Sequence, residues 1–189
     1  MDVSDHRVIG AQHEIAHALA YLFFGRMFRA IDVDADGVGA VSVDPTPIGL
    51  MDQSYIAAAG MAVELRYTQL FDGSVEEWLQ TLLTMVNEPD REPEDDDLYR
   101  TNGYLFVSLP WALAFNAAYW QEIEEGGEWL LASGGRLLYP AVASRFQRLF
   151  EPSLQRSIDM QVQLSYLAPF QDLIASVDEA VNVAASSRF

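Results

Sequence analysis

The sequence predicts a mainly α fold (α+β in class) with a small β-hairpin or sheet after the first helix. Three observations predict it. Long stretches carry apolar residues at helical spacing, one short stretch alternates apolar and polar residues around Ala35-Asp36-Gly37, and Gly and Pro divide the remainder into helix-length pieces. Half of the 189 residues are hydrophobic and 12% are aromatic, enough to build a core. The length prior gives a single domain over 1–189, divided here into a core part at 1–105 and a helical C-terminal part at 106–189.

In chain order, Ser4 or Asp5 can cap a helix running to about Phe24, with Gly25 as its stop signal. Val8, Ile15, Leu19, Leu22 and Phe23 lie near one face and should make core. His13 and His17 share another face with Gly10, Ala20 and Phe24, and the small residues there leave room for a partner element. Ile31 and Val33 then alternate with Asp32 and Asp34, and Val41 and Val43 with Ser42 and Asp44, up to Pro45; this pattern predicts a hairpin. Asp52 or Ser54 can cap a second helix through Leu70. Ser74-Val75-Glu76-Glu77 reads as a capping box opening a third helix to about Val86. Residues 88–97 form an acidic, Pro-containing loop. From Leu98 the pattern is helical again, with breaks expected near Pro110, Gly126-Gly127, Gly134-Gly135, Pro140 and Pro152. One or two helices are expected from about Ser153 to Val183, broken near Pro169.

Composition excludes several functions. Net charge is −17, and all 11 basic residues are Arg. A nucleic-acid or anionic-membrane surface needs a basic patch, so neither partner is expected. With no Cys there is no disulfide framework and no thiolate metal site. The acidic opening Met1-Asp2-Val3-Ser4-Asp5 is not a signal peptide, and Gln12, His13, Glu14 and His17 interrupt the apolar run from Val8 to Phe24. No membrane span is expected, and a cytoplasmic location is the default.

The sharpest signal is His13-Glu14-Ile15-Ala16-His17, the HExxH pattern of zinc hydrolases. Histidines at i and i+4 on a helix put both rings on one face, where they can grip one metal ion. The Glu beside the first His can then act as general base on a water that the zinc acidifies. The chain has only three histidines, and at this composition the pattern arises by chance about 0.003 times per chain. A catalytic zinc takes three protein ligands. No His follows His17, so the third must be a carboxylate. The candidates are Glu64, within the second helix, and one of Asp95, Asp96 or Asp97, at the start of a later one.

These residues resemble the peptidase domain of FtsH-type ATP-dependent zinc proteases. That family's HEAGHA helix is matched by His13-Glu14-Ile15-Ala16-His17-Ala18, and its short strand pair by Arg29–Val43. Its GxAAE-type second helix is matched by Gly60-Met61-Ala62-Val63-Glu64. The family's third ligand, an Asp opening a further helix, is matched by Asp96-Asp97-Leu98-Tyr99-Arg100. The resemblance covers roughly residues 6–105. It implies a helical zinc-peptidase-like fold, Zn2+ held by His13, His17 and Asp97, Glu14 as general base, and a supporting role for Glu64 near the site.

Departures are substantial. Ile15-Ala16 replaces the usual Ala-Gly. An extra helix and acidic loop occupy 70–95, and without Lys no Walker A motif of an AAA+ ATPase is possible. The expectation is therefore a divergent, stand-alone zinc metallopeptidase acting on peptides or unfolded protein segments, with a separate unfoldase or protein partner conceivable. The alternative is a catalytically inactive, peptidase-like metal-binding or regulatory interaction module. Nothing in the sequence gives the oligomeric state. A hairpin edge beside the site can hold an extended peptide, or Val41 and Val43 can be ordinary core. Trp111, Phe115, Tyr119 and Trp120, at helical spacing, read as core or a subunit contact.

Overall fold

The computed structural model describes residues 3–43, 48–70, 73–87 and 97–186, with side chains from residue 6 onward. Helices dominate it, joined by a small antiparallel sheet. The chain divides into two compact units, one comprising Met1–Ile48 and Phe115–Ile158, the other Gly49–Ala114 and Asp159–Phe189.

The first unit is built on α1 (Val3–Phe23). Ser4 and Asp5 fall inside its first turn, not at the cap position the sequence suggested. Its end is the predicted one. Gly25 adopts φ +64, its N–H reaches Leu22 O at 3.0 Å, and the Arg26 N–H reaches Tyr21 O at 2.8 Å. This paired closure needs a left-handed residue, which glycine supplies without a Cβ penalty. Ile15, Leu19 and Leu22 are buried as expected, but Val8 is 38% exposed, because burial of the helix begins only at Ala11.

Strands β1 (Ala30–Val33) and β2 (Gly39–Ser42) form the predicted hairpin, with Val33 opposite Gly39 and Ala30 opposite Ser42. The turn is tied locally: Asp34 Oδ1 accepts from the Asp36 and Val38 N–H groups, each at 2.9 Å, and Gly37 takes φ +88. Ile31 and Val33 are buried; Val41 is half-buried and Val43 exposed. A third strand, β3 (Arg136–Leu138), pairs antiparallel on the other side of β1, giving the order β2-β1-β3. Three residues are too few to show a period in sequence.

Helix α5 (Leu105–Ala132) corrects two expected breaks, since Pro110 and Gly126-Gly127 both lie inside it. Pro110 gives up one helical bond, to the carbonyl of Phe106, without ending the helix. The glycine pair is a packing device. A Cβ on Gly126 would stand 2.7 Å from Ile15 Cγ2, and one on Gly127 would stand 2.8 Å from Gln12 Cγ, so their bareness lets α5 lie close against α1. The real irregularity is at Tyr119 (φ −119, ψ 22), where Arg156 Nη1 donates to Ala118 O at 2.5 Å and the guanidinium pairs with Glu122. That pairing holds the Arg156 pKa above its ordinary value. Phe115 and Tyr119 are fully buried, with ring centroids 5.0 Å apart, and Trp111 is buried, so these three are core, while Trp120 is half-buried. The expected breaks at Gly134-Gly135 and at Pro140, which opens α6 (Tyr139–Phe146), are present. A helical turn at Gln147–Phe150 ends ahead of Pro152.

In the second unit, α2 (Leu50–Leu70) begins before both suggested caps, placing Asp52 in its first turn and burying Ser54. Helix α3 (Val75–Val86) opens on the predicted capping box. Ser74 Oγ accepts from the Glu77 N–H at 3.1 Å, and Glu77 Oε2 accepts from the Ser74 N–H at 2.9 Å. The unit continues through α4 (Asp97–Arg100), α7 (Met160–Leu167) and α8 (Gln171–Ser186); the predicted break near Pro169 is the turn Ala168–Phe170. Val75, Trp78, Leu79, Leu82 and Val86 share one face of α3 and pack with Ile174, Val177 and Val181 of α8, together with Met61, Leu65, Leu98, Leu105 and Leu109. Asp178 caps α5 from α8, accepting from the Leu105 and Phe106 N–H groups at 2.8 and 3.0 Å. No helix among the described residues is long and apolar enough to cross a membrane.

Leu79 is fully buried, so Leu79→Ala is expected to lower stability by about 2–5 kcal/mol in urea melts. Burial pushes the Asp178 pKa above the ordinary carboxylate range, against the opposing hydrogen bonds from Phe106 and Leu105. The native state therefore binds this proton more tightly than the unfolded chain. That contribution to folding is present at acidic pH and lost as pH rises through the raised pKa. Urea melts at rising pH, starting near pH 4, should show wild type losing stability relative to Asp178→Asn; the opposite trend would contradict this assignment.

Candidate metal centre

Helix α1 brings both motif histidines to one place. His13 is half-buried, His17 is 5% exposed, and their rings meet edge to face with centroids 4.5 Å apart. Nε2 of one lies 2.8 Å from Nε2 of the other. At that distance one ring, in its Nε2–H tautomer, donates to the other. The same nitrogen of each ring thus faces a common point, where two neutral imidazoles would offer lone pairs to a cation.

Asp97 is the first residue of α4 and half-buried; its Oδ1 is 3.6 Å from Arg100 Nη1. With His13 and His17 it makes a group that could hold a metal ion. Two imidazole nitrogens and a carboxylate oxygen are a donor set that zinc accepts while keeping a position for water. Glu64 is exposed on α2, and the group found among the described residues does not include it. Asp95 and Asp96, the neighbouring candidates, lie outside the described residues.

Glu14 is 5% exposed and lies against β2. The approach of the hairpin to α1 rests on glycines. A Cβ on Gly10 would stand 1.9 Å from Gly37 O, one on Gly37 would stand 2.7 Å from His6 O, and one on Gly39 would stand 2.5 Å from Glu14 Cγ and 2.8 Å from its Oε1. Arg7 Nε also donates to Asp34 O at 3.2 Å. The room predicted from the small face of α1 is therefore filled by the hairpin. Gly39 is the site residue that sequence reasoning missed. Its signal was a second glycine two positions after the turn glycine, on the same side of an alternating strand.

The sequence matches no family model, and the comparisons found no curated protein and no solved structure similar to it.

A group that binds metal in the native state alone stabilises that state by mass action. Zinc at about 100 times its dissociation constant should therefore add roughly 2.7 kcal/mol to unfolding. Thermal melts with zinc and with chelator should show this gain in wild type and its loss in His17→Ala.

Proposed function

We propose that this chain is a zinc-dependent peptidase with an FtsH-like peptidase domain, acting on peptides or unfolded protein segments. The observation that carries the reading is the convergence of the His13 and His17 Nε2 atoms on α1, 2.8 Å apart, with Glu14 next to the first of them in the HExxH order; with Asp97 they make a group that could hold a metal ion. His13, His17 and Asp97 would hold the ion. Bound there, zinc supplies a Lewis acid that acidifies water and polarises the scissile carbonyl.

The chain's own residues account for the remaining chemistry. Glu14 accepts the proton of the attacking water at a carboxylate oxygen and delivers it to the leaving amine, so the carboxylate is regenerated in each turnover. Its burial against the hairpin limits the rotamers open to it. Among the described residues strand β2 pairs with β1 alone and is an edge of the sheet. An extended peptide can add to such an edge through backbone hydrogen bonds, a mode that tolerates many side chains. The net charge of −17 favours cationic over acidic peptides, and a cytoplasmic setting, with a separate unfoldase for folded substrates, fits a protease of this kind.

Glu14→Gln keeps the shape of the side chain and removes its basicity. Zinc stoichiometry measured by atomic emission should be unchanged, while kcat/KM on an unfolded, Arg-rich polypeptide should fall about 10²- to 10⁴-fold. Equal rates in the two proteins would overturn the assignment of Glu14. Zinc binding without hydrolysis by wild type would leave a non-catalytic metal-binding module.

A further inference from the structure

We propose that Gly39 is a positioning residue for Glu14, setting the side-chain geometry of the general base by having no side chain of its own. The inference rests on the peptidase reading for its catalytic consequence, while its structural content stands apart from it.

Glu14 Cγ and Oε1 lie where a Cβ on residue 39 would be 2.5 and 2.8 Å away, closer than such carbons come to other atoms. A glutamate carboxylate could usually swing clear of one methyl group. Glu14 is 5% exposed on a helix whose residues 14 to 22 are all buried, so it has little free volume to swing into. The strand cannot retreat cheaply either. Gly39 is held in register opposite Val33, and the turn beyond it is tied by Asp34 and seated through Gly37 on α1. An alanine at 39 would therefore meet a confined carboxylate from one side and the Asp32 carbonyl, at 2.9 Å, from another.

The backbone conformation does not explain the glycine. Gly39 is not among the glycines with positive φ, so an L residue would suit its dihedrals. The contact with Glu14 distinguishes it from the turn glycine Gly37, which needs both its φ of +88 and its closeness to α1.

The test is a double-mutant cycle on the whole chain with Gly39→Ala and Glu14→Ala, read first as thermal stability of metal-free protein. If the added methyl collides with Glu14, G39A should lower Tm by roughly 5 °C in the wild-type background and by much less once Glu14 is truncated. The approach to Asp32 O is present in both backgrounds and cancels. Equal Tm losses in the two backgrounds would overturn the inference whether or not the protein is an enzyme. The second reading is kinetic. G39A should keep its zinc content and KM and lose kcat about 100-fold, as displaced catalytic groups do, and adding G39A to Glu14→Gln should cause no further loss. An unchanged kcat, or losses that multiply, would overturn the positioning role. Absence of hydrolysis in wild type, with coupled Tm values intact, would sink the peptidase reading and leave the Gly39–Glu14 contact in place.

Discussion

The seat of Glu14, beside the first motif histidine, depends on how closely the β1–β2 hairpin can approach α1. That approach is governed by volume, at three glycines. Gly10 removes a side chain from the helix, Gly37 turns the hairpin and presents its backbone to the helix, and Gly39 makes room for Glu14. A methyl group at any of the three would meet backbone or a confined side chain at under 3 Å. Close packing makes such contacts unforgiving, because interiors at crystal-like density have no slack to absorb an extra carbon. The pairing of β1 with β2 and β3 then fixes the hairpin from its far side.

The same principle recurs at the second glycine pair. Gly126 and Gly127, which look like a break in sequence, lie within the helical part of α5 that follows its irregularity at Tyr119 and let α5 seat on Ile15 and Gln12. Gln12 precedes the first motif histidine. The motif segment of α1 is thus held by bare backbone from two directions, the hairpin on the Gly10–Glu14 face and α5 on the Gln12–Ile15 face. A rigid helix suits a site whose nitrogens must converge to a few tenths of an ångström.

Much of this was legible in sequence where local chemistry dominates. The Ser74 capping box, the Gly25 stop, the Asp34–Val38 turn and the i, i+4 histidines are short-range patterns whose physics is complete within a few residues. The misreadings occurred where tertiary packing overrides local signals. Pro110 and Gly126-Gly127 are breakers by propensity, but the helix continues through them because packing outweighs the loss of about 1 kcal/mol per glycine. Strand β3 exists through its pairing with β1 and has too few residues to signal itself. Asp97 could be chosen over Glu64, Asp95 and Asp96 only through the resemblance to FtsH-type peptidases, since a residue some 80 positions from His17 has no local signature, and an acidic residue opening a helix has a simpler role beside the dipole.

The central claim is that His13, His17 and Asp97 bind one zinc ion. The most direct measurement is a pair of anomalous-difference maps, collected above and below the zinc edge, from crystals grown with zinc and without chelator. The account predicts a single strong peak, present only above the edge, at about 2.0–2.2 Å from Nε2 of both histidines and from a carboxylate oxygen of Asp97. A map without that peak, in which the two imidazoles still share their hydrogen bond in the presence of zinc, would contradict it.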